Sequence, residues 1–123
     1  MDALPTGCWD FFGNDGCPAT IKIESIRANI VTGWLWDDKG EFLLIGADGA
    51  PTATWESESR QIRFSRAMAT GEVQTFTGYL FDHHLQIGKP HAAMAGFFTS
   101  NKHTGAHRPH FGWFAIHTGP QSA

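Results

Sequence analysis

The feature that most constrains this chain is a periodicity it never sustains. Nowhere do its apolar residues keep an i, i+3, i+4 spacing over ten residues before Gly, Pro, Thr or a β-branched or aromatic side chain interrupts it. A helix built on such a stretch has no continuous face to bury. The chain offers instead short alternating runs bounded by turn residues. The clearest is Thr20-Ile21-Lys22-Ile23-Glu24-Ser25-Ile26, with Ile21 and Ile23 on one face and Lys22 and Glu24 on the other, the pattern of a half-buried strand. Gly7 to Phe12 reads as a strand before it, stopped by a turn at Gly13-Asn14-Asp15-Gly16. After it come Asn29 to Asp37, Glu41 to Ala47, Thr52 to Glu58, Gln61 to Met68, Val73 to Asp82, His91 to Ser100 and Phe111 to His117, parted by Gly-, Pro- or His-containing connections. Regular short strands of this kind predict an all-β fold, a small antiparallel up-and-down β-barrel of about eight strands, with a sandwich as the alternative. Closure into a barrel removes the exposed edges. The 123 residues suit a single domain spanning 1–123, which buries roughly two-thirds of the surface its unfolded chain exposes.

On partners, composition excludes more than it names. Ten Phe and five Trp bring the aromatic share to 13%, so large rings must be buried somewhere. Charged residues make up 17% and the formal net charge is −3, which leaves no basic field for nucleic acid or an acidic membrane. No run approaches the ~20 apolar residues of a spanning helix. Met1 to Pro5 lacks the basic start and apolar run of a secretory signal, so the default compartment is cytoplasmic, with the compartment itself left open. Cys8 and Cys17 either close a short disulfide loop or stand apart; if residues 13–16 turn a hairpin, Cys17 lies opposite Phe12 and not opposite Cys8.

One internal echo is more specific. Thr32-Gly33-Trp34-Leu35-Trp36-Asp37 recurs 45 residues later as Thr77-Gly78-Tyr79-Leu80-Phe81-Asp82. Each copy follows an alternating strand, Ile21-Lys22-Ile23-Glu24 or Gln61-Ile62-Arg63-Phe64, and each of those follows a Trp, Trp9 or Trp55. The echo reads either as two related halves or as barrel strands reusing the same chemistry. In both cases a glycine inside a strand permits strong coiling or close approach of another group.

These motifs resemble those of the avidin and streptavidin family. Gly7-Cys8-Trp9 resembles the family's first strand, and Val31-Thr32-Gly33 and Phe76-Thr77-Gly78 resemble its two F-T-G-type strands. Gly88 to Ser100 looks like the seventh strand after its short turn. The resemblance covers most of the chain and implies an eight-stranded up-and-down barrel. It does not carry over the ligand. The family holds biotin with a polar residue two positions after the first-strand Trp, where this chain has Phe11, and the Trp of the seventh strand falls on Gly96.

Strand parity decides what lines the barrel. In the parity the resemblance implies, Gly33, Leu35 and Asp37, with Gln74, Phe76, Gly78, Leu80 and Asp82, point inward, and Trp34, Trp36, Tyr79 and Phe81 lie outside. Exposed aromatics cost ~25 cal/mol per Å² to leave wet, so this parity predicts a homo-oligomer, a dimer or tetramer. The reverse parity lines the barrel with the four rings. The first is preferred, because strands apolar on both faces are covered on both. Trp9, Phe11, Leu35, Phe64, Phe76, Leu80 and Phe98 are then the expected ligand-binding side chains.

Groups for chemistry are few. His103, His107 and His110 form an H-x3-H-x2-H cluster, but Gly105 and Pro109 interrupt helical geometry and no Cys or carboxylate completes four ligands; a solvated loop is expected, and no metal. His83-His84 follows Asp82 in another connection, where a carboxylate tunes an imidazole across neutral pH or two histidines are merely exposed. Asp37, Asp82, Glu56 and Glu58 are the carboxylates available for acid–base work, against the plainer role of Asp at strand ends in holding turn amides. No nucleophile motif, phosphate loop or cofactor fingerprint is present. The leading expectation is a cofactor-free binding barrel for a small, largely hydrophobic or aromatic ligand, with no nucleic-acid or membrane partner. The alternatives are a cofactor-free cyclase or isomerase using Asp37, Asp82 and His83, and a protein-interaction module.

Overall fold

The computed structural model describes residues 4–13, 18–47, 50–86, 89–101 and 110–119, and for 82–86, 89–91, 110, 111 and 119 the backbone alone. Alternation of buried and exposed side chains builds the wall: Trp9 and Phe11, Ile21 and Ile23, Val31 and Leu35, Ile62 and Phe64, Phe76 and Leu80 all face one core. Among the described residues nine strands form: β1 (Gly7–Gly13), β2 (Pro18–Arg27), β3 (Ile30–Asp37), β4 (Gly40–Leu43), β5 (Ala53–Glu56), β6 (Gln61–Ala67), β7 (Val73–Gln86), β8 (Lys89–Ser100) and β9 (His110–Gly119). They join one sheet in the order β2-β1-β9-β8-β7-β6-β5-β3-β4, and β2 also pairs with β3, which closes the sheet on itself. The result is an antiparallel up-and-down barrel.

Nine strands fill eight positions. Both β4 and β5 pair with β3, β4 beside Trp34 to Asp37 and β5 beside Ile30 and Val31. On the far side β5 pairs with Gln61 to Arg63 of β6, while Ile45, just past β4, bridges Ser65. One position is thus spliced from two short strands running the same way. Both are shorter than the sequence pattern predicts, because the chain must leave the wall between them.

This topology decides the meaning of the echo. Its first copy occupies β1, β2 and β3, its second β5, β6 and β7. The offset is three barrel positions, and three successive antiparallel steps set β7 opposite in direction to β3. Halving an eight-position barrel needs an offset of four, so the echo is reused strand chemistry. Its two glycines do serve one purpose, close approach. A Cβ on Gly33 would strike the Lys22 carbonyl oxygen beside the irregular register of β2, and one on Gly78 would strike the Trp113 indole.

The inward parity of Leu35, Phe76 and Leu80 holds, since all three are buried, while Tyr79 and Phe81 are 46% and 41% exposed. Trp34 and Trp36 are half-buried on the outer face. A further difference concerns β7 and β8, which outrun the expected strands. Asp82 pairs with Ala92, His83 with His91 and His84 with Pro90, so His83-His84 lies in a strand rather than a connection. β6 pairs with β7 only as far as Tyr79, and β9 with β8 only as far as Ala93. Among the described residues no strand flanks the ribbon beyond them, and such an edge is where a proline such as Pro90 is tolerated.

Cys8 is a free thiol opposite Lys22, and Phe12 faces Pro18. Cys17 and the turn at 14–16 lie outside the described residues. At the opposite end of β1 the Trp9 indole donates to the Pro5 carbonyl at 3.2 Å and His117 Nε2 to that of Thr6 at 2.8 Å. These bonds hold the first described residues across that end, with Leu4 buried in the core.

Candidate functional site

Register sets two inward rows one above the other. Phe64, Phe76 and Phe98 are direct neighbours across β6, β7 and β8, and two residues along each strand stand Arg66, Gln74 and Ser100. The phenyl row is stacked, with centroids 4.9 Å apart for Phe64–Phe76 and 4.7 Å for Phe76–Phe98. Phe11 meets Phe76 edge-on at 5.6 Å and lies against Trp113 at 5.3 Å. The Trp113 indole lies over the glycine left open at Gly78, donating to the carbonyls of Phe97 and Thr77 at 3.0 and 3.2 Å. A buried indole N–H thereby keeps its hydrogen bonds.

The polar row is joined by charge. Arg66 Nη1 donates to Asp37 Oδ2 at 2.8 Å, both side chains 4% exposed or less. Arg66 Nε donates to Gln74 Oε1 at 2.7 Å, and its guanidinium lies 4.9 Å from the centre of the Phe42 ring. Gln74 Nε2 and Ser100 Oγ in turn donate to Glu72 Oε2. The other oxygen of Asp37 accepts the Lys39 amide of the β3–β4 turn at 2.8 Å, the strand-end role that Asp commonly takes. A guanidinium taken out of water needs this set of acceptors, since an unpaired buried charge costs several kcal/mol.

The structure therefore brings together Phe11, Phe64, Phe76 and Phe98 of the expected ligand residues, and sets Trp9, Leu35 and Leu80 in the same core. It does not bring together Asp37, Asp82 and His83. Asp37 ends β3 and Asp82 lies beyond the wall on β7, strands of opposite direction, so their backbones belong to opposite ends of the barrel. The side chains of Asp82, His83 and His84 lie outside the described residues, as do His103 and His107 and the side chain of His110. Glu56 accepts a hydrogen bond from Ser59 at 2.7 Å on the exposed β5–β6 turn, and Glu58 is exposed on the same turn. Sequence reasoning missed Arg66 and Trp113. The alternation Ile62-x-Phe64-x-Arg66 places that arginine inward; Trp113 is set by its register opposite Gly96, a property of the folded sheet and not of the sequence.

The outer face carries a second aromatic group. Phe12 stacks on Phe114 at 4.9 Å, Phe114 faces Ala95, and Ala95 faces Tyr79, so one row crosses β1, β9, β8 and β7. Phe97 and Phe81 stand two residues away along β8 and β7. The five rings are 39–46% exposed.

Comparison of this chain with protein-family models found no match, and neither curated protein sequences nor solved structures gave a significant similarity.

Proposed function

We propose that this protein is a binding barrel for a small, flat, largely apolar molecule and works as a homo-oligomer. The observation that carries the reading is the stacked row Phe64–Phe76–Phe98 directly beside the polar row of Arg66, Gln74 and Ser100. The rings stack on one another, so a ligand enters this row by replacing ring–ring contacts with ring–ligand contacts. Planar aromatic molecules lose least in that exchange. One polar substituent then meets Gln74 or Arg66, which fixes orientation. For assembly, the support is the outer row of Phe12, Phe114, Tyr79, Phe97 and Phe81, a contiguous apolar face of the kind soluble monomers rarely leave uncovered.

Thermal stability measured against a panel of planar aromatic carboxylates and phenols, with aliphatic acids of equal size as controls, tests the ligand. Binding at a hundredfold excess over Kd stabilises by ~2.7 kcal/mol, and Phe76→Ala should abolish the shift. Equal responses to aliphatic and aromatic compounds, or none to either, would sink the reading. Light scattering tests assembly: a dimer or tetramer is expected, reduced to monomer by Phe97→Ser with Phe114→Ser. A monomeric parent protein that nonetheless binds a different protein through these rings would favour the interaction module instead.

A further inference from the structure

On the outer face, β1, β2 and β3 enclose an open groove of about 450 Å³ lined by Asp10, Phe12, Pro18, Thr20, Trp36 and Asp38, together with Ala19 and Asp37. Register explains its shape. Asp10, Thr20 and Trp36 form one row across the three strands, and Phe12 stands next to Pro18 in the row beside it. The floor on β2 is therefore low, Pro18 and Thr20, while an aromatic ring rises on each side. Strands lie ~4.8 Å apart and residues two apart along a strand ~6.7 Å, so the bases of Phe12 and Trp36 are about 12 Å apart and a group centred between them sits about 6 Å from each. That is the ~6 Å reach over which a cation is drawn to a ring face.

Among the described residues that line the groove, every charged one is an Asp. Asp37 is already matched by Arg66, whereas Asp10 and Asp38 are exposed and form no ion pair with a described residue. Two rings and two uncommitted carboxylates around one cavity select against anions, and a neutral apolar guest would leave the carboxylates unused. We propose that this groove binds a small organic cation of the alkylammonium class, its apolar substituents against Phe12 and Trp36 and its charge between Asp10 and Asp38. The site is separate from the ring row inside the barrel and does not depend on it; it shares only Phe12, at the β1 end of the outer aromatic row, with the face proposed for assembly.

A ¹H–¹⁵N NMR titration of the full chain with tetramethylammonium chloride tests this, with sodium chloride matching ionic strength and tert-butanol as the neutral counterpart. Saturable shifts are expected at the Trp36 indole N–H, assigned with Trp36→Phe, and at the amides of Asp10, Phe12 and Thr20. Asp10→Asn and Asp38→Asn, both surface changes, should each weaken binding between about two- and fivefold, and Trp36→Leu by a similar factor. Unchanged affinity in both Asn variants, equal shifts with tert-butanol, or no saturable shift would each overturn the assignment.

Discussion

Asp37 and Arg66 are the residues on which a single substitution reads most directly. Asp37→Ala leaves a guanidinium in the barrel with Gln74 and the Phe42 ring but without its counter-charge, and should lower stability by ~3–5 kcal/mol. Urea denaturation measures it. The double change Asp37→Leu with Arg66→Met removes both charges and should recover most of that loss; a single variant no worse than an ordinary surface change would show the pair to be incidental. Gly78 provides a second test. A methyl there meets the Trp113 indole, and overpacking of this kind costs ~1–3 kcal/mol. Trp113→Phe makes room, so Gly78→Ala should be milder in that background, a coupling that a double-mutant cycle detects. Neither prediction is visible in the residues alone. Gly78 announces that something comes close, yet which ring comes close depends on β9, thirty-five positions further on.

At the scale of the element, the hairpins carry the local information. Arg27 pairs with Ile30, and between them Ala28 and Asn29 both have positive φ, 50° and 69°. This is the mirror-image two-residue turn that Asn-Gly suits and Ala does not. Ala28→Asn should therefore raise stability by ~0.5–1 kcal/mol, read as a rise of a few degrees in Tm; a fall would show that Ala28 makes contacts the turn geometry does not reveal. Strands with one wet face, such as β2, are legible from alternation because Lys22 and Glu24 declare which side is out. The ribbon formed by the ends of β7 and β8 was not, since His83-His84 and Lys89-Pro90 look like loop composition. What makes them strands is cross-strand pairing, a property of two segments at once. The splice of β4 and β5 was illegible for the same reason: each run alternates as a strand should, and only the ladders to β3 and β6 show that both occupy one place.

For the molecule as a whole, barrel closure followed from the number and spacing of strands, and the ring-rich interior from inward parity at Leu35, Phe76 and Leu80. The polar row did not, because it draws Asp37, Arg66, Gln74, Ser100 and Glu72 from four strands and a turn, and only the order and register of the strands make them neighbours. Closure also has a weak point. At the spliced position β5 is tied to β3 by the pairs Ile30–Thr54 and Val31–Ala53, and past β4 the wall meets β6 through the Ile45–Ser65 bridge. The β7–β8 ladder, by contrast, runs from Gln74–Ser100 to Gln86–Lys89. Amide hydrogen exchange should accordingly be fastest, within the wall, at residues 40–45 and 53–56, and slow at residues 74–80; uniform protection would contradict it. Phe64 lies between Arg63, which pairs with β5, and Ser65, which meets Ile45. The weakest part of the wall therefore stands directly beside the first ring of the stacked row, and exchange at residues 40–45 and 53–56 would report how often that ring meets water.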